Sequence, residues 1–322
     1  MGEECIASRA RLGRRSGSAE TEHLSPSALR LNPTATSPGI PVDPTSQYLA
    51  RMAPRLIVVG FGNLGQAIVR GAIASGIAAP SEIGAVDPEA AQIERARDEG
   101  LRVTDLGDLV EAEMVLLSVK PQSFTEAAAS LGAIGPSGPL VASVMAGIRS
   151  DAIRDALGGA ARVVRAMPNT PAAVGRAITA VASDADVVEA DFQRVEQLFA
   201  SVGKTVRVPE ALFDAVTAVS GSGPAFVFRF LEAWIAAAES LGLPEDKAAA
   251  LARETLIGAA ALLDGSDDEP HVLRARVTSK GGTTAAGLSR MEDEAARAGG
   301  IDALMQETLR AARDRGAELG RR

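Results

Sequence analysis

Two glycine-rich loops hold the residue types and spacings from which chemistry can be read. In Val277-Thr278-Ser279-Lys280-Gly281-Gly282-Thr283-Thr284 hydroxyls and glycines meet at the predicted start of a helix. There Ser279 and the N–H groups of Gly281 to Thr284 form a nest suited to a carboxylate. Far upstream, Gly60-Phe61-Gly62-Asn63-Leu64-Gly65 has the GxGxxG spacing between a predicted strand and a predicted helix, the context in which that pattern binds a dinucleotide. Gly60 permits the tight turn, Gly62 clears space for a pyrophosphate, and Gly65 lets the helix pack on the sheet. The upstream loop at 60–65 reads as a cofactor site and the downstream loop at 277–284 as a substrate site.

Asp87 closes the second predicted strand, about 20 residues beyond the glycine turn, where an acid can bind the adenosine ribose and repel a 2′-phosphate. That role favours NADH over NADPH. Asp87 also stands where it can cap the helix beginning near Pro88, and the sequence leaves both readings open. Val119-Lys120-Pro121 ends a later strand, where open α/β sheets bind ligands, so Lys120 either lines the crevice or is simply exposed.

Composition narrows the catalytic options. The 322 residues are 46% hydrophobic and 23% charged, with a formal net charge of −8. Nothing in that balance offers a basic surface for nucleic acid, and no uninterrupted apolar run is long enough to span a bilayer. Neither is an expected partner. The sole cysteine, Cys5, fits a reducing cytoplasm, and His271 is the only histidine outside the N-terminal tail. Most of the usual triads, dyads and zinc sites are thereby excluded, and no metal is expected. Lysine is scarce: of Lys120, Lys204, Lys247 and Lys280, two fall in the suspected functional loops.

The elements that must position these loops fall into two groups. Residues 1–51 mix Ser, Pro, Thr, Arg and Glu without periodicity and are read as a disordered extension, with Met52 as the expected natural start. From 52 to 208 the pattern is a series of βα units. Strands are predicted at Leu56 to Gly60, Ile83 to Val86, Met114 to Val119, Leu140 to Val144, Arg162 to Arg165, Ile178 to Val181 and Thr205 to Val208. Helices are predicted at Gln66 to Ser75 and Val188 to Ser201. Apolar strands alternating with helices indicate a doubly wound parallel sheet of Rossmann type. From 209 to 322 Ala-rich helices take over, opened by Pro224, Pro244 and Pro270. The small apolar runs at Ala236 to Ala238 and Ala259 to Leu263 suit a subunit interface.

The loop at 279–284 resembles the Ser-Pro-Gly-Gly-Thr-Thr signature of the pyrroline-5-carboxylate reductases. Further segments agree with that family in the same order: Gly60 to Gly65, Val119-Lys120-Pro121, Ala146-Gly147, Met167-Pro168-Asn169-Thr170-Pro171, Ser201-Val202-Gly203 and Ser220-Gly221-Ser222-Gly223-Pro224-Ala225. The resemblance spans roughly residues 54 to 316. It implies reduction of 1-pyrroline-5-carboxylate to L-proline by NADPH or NADH, in a homodimer of interleaved helical domains that is often assembled into a decamer. In that arrangement one subunit's 277–284 loop completes the site beside its partner's cofactor. Coenzyme contacts are implied at Gly60, Phe61, Gly62, Asn63, Leu64, Gly65, Asp87, Val119, Lys120, Pro121 and Ala146.

On the substrate side the resemblance gives Thr284 the ring nitrogen, with Ser279 and the Gly281, Gly282, Thr283 and Thr284 backbone holding the carboxylate. A helix-capping threonine is the plainer account of Thr284. Glu210 matches a position near substrate but also suits the first turn of a helix. Ser220 to Pro224 either admits the nicotinamide or forms a helix–helix turn. The chemistry agrees with the shortage of histidine, because an imine is basic enough to arrive protonated. Three residues depart from the family pattern: Lys280 for proline, Phe226 for tyrosine and Glu269 for histidine. They bear on substrate affinity and loop rigidity rather than on reaction type. The competing readings are a deazaflavin-dependent NADP oxidoreductase, which needs neither the 279–284 loop nor the long helical region, and a non-catalytic dinucleotide sensor.

Overall fold

The computed structural model describes residues 55–104, 111–183, 187–293 and 299–320. The expected N-terminal extension and start at Met52 lie outside the described residues. Eight strands form one sheet: β1 (Leu56–Val59), β2 (Ile83–Val86), β3 (Arg102–Val103), β4 (Met114–Leu117), β5 (Leu140–Ser143), β6 (Val163–Met167), β7 (Ala177–Ser183) and β8 (Gly203–Arg207), in the order β3-β2-β1-β4-β5-β6-β7-β8. The reversal of strand order beside β1 places the carboxyl ends of β1 and β4 next to each other, the crevice where such sheets bind ligands.

Two apolar layers explain why these short strands read as continuous hydrophobic runs. Leu56 and Val58 face a cluster with Ile68, Val69, Val195 and Leu198, whereas Ile57 and Val59 face Phe124, Ala128, Ile153 and Leu157. Each alternate residue thus meets a helix layer. The first layer contains α1 (Asn63–Ala74), α2 (Ala90–Asp98) and α5 (Glu189–Ala200), and the second α3 (Phe124–Leu131) and α4 (Ser150–Ala156).

The all-parallel expectation fails at one edge. β7 pairs antiparallel with β6, and β8 then pairs parallel with β7, so the last two strands oppose the other six. Only residues 168–176 connect β6 to β7, including a 3-10 turn at Thr170–Val174. That is too short for the helical crossover a parallel neighbour requires, whereas β7 to β8 has α5 to make one.

Beyond Pro209 the described chain is helical: α6 (Phe213–Val216), α7 (Gly223–Ser240), α8 (Glu245–Asp264), α9 (Pro270–Arg276), α10 (Thr283–Met291) and α11 (Gly300–Leu319). A π turn at Thr217–Gly221 joins α6 to α7 without a break, so Ser220 to Pro224 is not a helix–helix turn. The helical stretch Glu210–Ser240 is long and apolar enough, by length and composition only, to cross a membrane. Its apolar side chains are also the ones left uncovered. None of α7's residues is buried within the chain, α8 buries only Ala248 and Ala252, and Phe228 and Leu262 are 62% and 68% exposed. So much contiguous apolar surface marks a face that another surface covers.

One buried polar cluster ties this helical region to the sheet. Arg165, in the middle of β6 with its side chain 4% exposed, places Nη1 2.8 Å from Glu210 Oε1. Its Nη2 donates to the Met145 carbonyl at 3.3 Å, and its guanidinium lies 4.7 Å from the centre of the Phe213 ring. Glu210 in turn accepts the Ser150 N–H at 2.8 Å and the Ser150 hydroxyl at 2.6 Å, closing the start of α4. Burial pushes the Glu210 carboxyl up, but hydrogen bonds from Ser150 and Arg165 outweigh it and hold the carboxyl below its ordinary value.

Arg165→Met leaves the Glu210 charge buried and unpaired, and is expected to lower unfolding free energy by about 3–5 kcal/mol in urea titrations at neutral pH. The depressed Glu210 value stabilises the fold above the unfolded-state pKa of about 4.3, and that contribution disappears as pH falls through the lower folded-state value. The stability gap between the native protein and Glu210→Gln should therefore narrow on acidification from neutrality, and a gap independent of pH would contradict the assignment.

Candidate active site

The glycine turn leaves β1 at its carboxyl end. Gly60 adopts φ +94°, and a Cβ there would lie 2.6 Å from the Ser118 carbonyl oxygen, so only glycine fits beside β4. A Cβ on Gly65 would come within 2.5 Å of the Gly60 carbonyl oxygen. Around Gly62, by contrast, an added Cβ would meet nothing within 4 Å. Gly62 is the N-cap of α1, which has no side-chain cap and no acid in its first turn, so its free N–H groups and positive dipole end suit an anion. The residues present fit the pyrophosphate of a dinucleotide.

Phe61 and Asp87 hold this turn from opposite sides. The Phe61 ring is fully buried among the α1-side core residues, and its carbonyl accepts from Gln66 Nε2 at 2.8 Å. Its N–H donates to Asp87 Oδ2 at 2.7 Å, while Asp87 Oδ1 accepts the Glu89 N–H at 2.9 Å. Asp87 therefore does not cap a helix at Pro88, since α2 begins at Ala90 with Glu89 as its N-cap; it closes the turn before α2 and clasps the glycine turn to the end of β2. The clasp was not foreseen, since it is made between residues far apart in the chain.

Around the crest, Val119 packs partly buried against the α3-side core and Lys120 is exposed. Ala146 is exposed beyond the end of β5, one residue after the Met145 carbonyl that Arg165 holds. Gly147, at φ +77°, meets the chain end, where an added Cβ would lie 3.2 Å from Gly320 Cα. Asn63 and Leu64 are the first two residues of α1 and lie in its anion-facing first turn. Glu210 commits both carboxylate oxygens to Ser150 and Arg165.

The second loop lies between α9 and α10. Gly281 takes φ +73°, and the Ser279 hydroxyl sits where a Cβ on Gly282 would be, 2.4 Å away. The Gly282 N–H donates back to the Ser279 carbonyl at 3.1 Å, closing a turn that leads into α10. Gly282 is the N-cap, so Thr284 is the second residue of α10 and does not act as its cap. The hydroxyls of Ser279, Thr283 and Thr284 make no hydrogen bond among the described residues, and all three side chains are exposed. With no acid and no side-chain cap in the first turn of α10, this too is an anion-receptive helix start. No hydrogen bond among the described residues joins it to the glycine turn.

Comparisons with known proteins match the two parts separately. A sequence model of the coenzyme F420-dependent NADP oxidoreductases matches residues 55–147, and one of pyrroline-5-carboxylate reductase dimerisation matches residues 210–319. Fold and site thus define an NAD(P)H-dependent oxidoreductase whose helical part makes subunit contacts. The chain is 38% identical over 272 residues to a pyrroline-5-carboxylate reductase of Pseudomonas aeruginosa, covering 83% of this chain and 97% of that one. A Methanosarcina acetivorans pyrroline-5-carboxylate reductase is 37% identical over 267 residues, covering 82% and 97%. The structure of a pyrroline-5-carboxylate reductase from Coxiella burnetii superimposes with a TM-score of 0.75 at 31% identity, over 83% of this chain and 98% of the other. The chain belongs to the pyrroline-5-carboxylate reductase family.

Gly60→Ala forces a side chain onto the Ser118 carbonyl in a backbone conformation costing about 1–3 kcal/mol. Weaker NADH binding, by about tenfold or more at 1.4 kcal/mol per decade, is the expected result of a nicotinamide-fluorescence titration.

Proposed function

We propose that the glycine-turn crest of one subunit and the 277–284 loop of a second copy form a single site, where 1-pyrroline-5-carboxylate is reduced to L-proline. The observation that carries this is the state of the second loop: three hydroxyls and an uncapped helix start, exposed and without a hydrogen-bond partner among the described residues. The apolar faces of α7 and α8 need cover of their own. A homodimer supplies both, and five such pairs would make the decamer implied by the family resemblance. A cytoplasmic location accords with the sole cysteine.

When bound, NAD(P)H supplies a hydride to the imine carbon, the C=N electron pair moves to the protonated nitrogen, and proline and NAD(P)+ result. The free N–H groups of α1 hold the pyrophosphate. Thr284 hydrogen-bonds the ring nitrogen and keeps the iminium facing the hydride, while Ser279 and the amides at Gly281 to Thr284 hold the carboxylate. Lys280, where the family usually has proline, adds a cation near that carboxylate. Positioning and electrostatics supply the rate, so no imidazole is needed. Glu210 acts from behind the site, by fixing the start of α4 and the Met145 carbonyl through Arg165.

Asp87 stands just beyond the end of β2, the position that faces an adenosine ribose. The Asp87 carboxylate there repels a 2′-phosphate, which favours NADH. In an absorbance assay with 1-pyrroline-5-carboxylate, NADH should show the lower KM, and proline should form in step with its oxidation. A lower KM for NADPH would refute the selectivity. Coenzyme binding without turnover would identify a sensor, and deazaflavin reduction in its place would favour the other oxidoreductase reading.

Thr284→Ala should fold normally and lose kcat about 100-fold, the cost of removing one aimed hydrogen bond in a site of this kind. Since the two loops come from different subunits, mixing Thr284→Ala with Gly60→Ala subunits through unfolding and refolding should restore activity, because one of the two sites in a mixed dimer is intact. Failure to recover would place both loops in one subunit's site.

A further inference from the structure

Asn169 follows β6 in the segment Met167-Pro168-Asn169-Thr170-Pro171, and both ends of its carboxamide are used. Oδ1 accepts the Ile178 N–H at 3.1 Å, and Nδ2 donates to the Ser220 carbonyl at 3.2 Å. One partner is an N–H and the other a carbonyl, so only this orientation satisfies both.

The Ser220 carbonyl needs a donor from outside its helix. In an α-helix the N–H four residues on would serve it, but that residue is Pro224, which has none. The chain winds wider here. Thr217–Gly221 forms a π turn, in which the Ser222 N–H reaches back five residues to the Thr217 carbonyl at 2.8 Å. Isolated π turns lie frequently at functional sites. Ser220 to Pro224 is half-buried, and the Ser222 hydroxyl makes no hydrogen bond among the described residues.

We propose that Asn169 is a positioning residue for the reduction. It gives Ser220 the hydrogen bond that Pro224 cannot, and so holds the π turn, with Ser222 and Gly223, at the crest where the nicotinamide end and the imine meet. The inference rests on the site assignment made above. The anchor runs from the sheet, through Ile178 at the start of β7, to the π turn inside the long helix. A displacement of this turn would move one wall of the reaction site and leave the pyrophosphate cradle in place.

Asn169→Asp keeps the shape and the acceptor for Ile178 but loses the donor to Ser220. Its kcat/KM for 1-pyrroline-5-carboxylate should fall about 10- to 100-fold, the loss expected when reacting groups shift by about 1 Å, with the NADH Kd from fluorescence unchanged. Pro224→Ala restores an N–H to the helix, so Asn169→Asp should cost much less in that background; fully additive losses would overturn the proposal. If the aspartate variant does not fold, Asn169→Ala serves the same cycle. Wild-type turnover with an Asn169→Asp variant equal to it would overturn this inference alone. A wild-type protein without turnover on the imine would overturn the reaction assignment and this inference together.

Discussion

Much of this structure is arranged around one charge removed from water. Arg165 sits inside β6, between apolar neighbours, where an unpaired guanidinium would be intolerable. Its partners come from three directions: Glu210 from the start of the helical region, the Met145 carbonyl from the end of β5, and the Phe213 face from α6. Satisfying the charge therefore fixes where the helical region begins, how α4 starts, and where the chain leaves β5 for Ala146 and Gly147. Those are the parts of the crest on the helical side of the glycine turn.

The same region is joined to the crest twice more. Asn169 reaches the Ser220 carbonyl, and the end of α11 packs at Gly147, where an added Cβ on either Gly147 or Gly320 would press on the other's backbone. The helices beyond are a different matter. α7 and α8 pack against each other, and Asp264 at the end of α8 pairs with Arg176 and Lys204, but both helices leave large apolar side chains outside, and those faces depend on association. A division of this kind suits the site proposed above, to which a second copy contributes its glycine loop.

Legibility in the sequence followed the range of the interactions. The glycine turn, the helix starts at Pro244 and Pro270, and most strand positions depend on neighbours within a few residues, and they could be read directly. The reversed β7 was missed because strand direction depends on what the connection can span, and a strand-like run such as Ile178 to Val181 looks the same in either direction. Ser220 to Pro224 looked like a break because serine, glycine and proline punctuate chains. Only the Asn169 contact and the i to i−5 bond show how the helix continues through it. Arg165 did leave a trace, a charge inside an apolar strand, although its partner could not be named from sequence.

Sequence alone determined the class of the fold and the two glycine-rich loops, because each rests on local residue types whose physical effect is independent of what lies across the molecule. Tertiary structure alone decided what Asp87 and Glu210 hold. Each had two plausible local roles, and each proved to make a hydrogen bond to a residue far along the chain, Phe61 for Asp87 and Ser150 for Glu210. A carboxylate's reach is set by its environment in space, and spacing in the chain does not encode which distant N–H will face it.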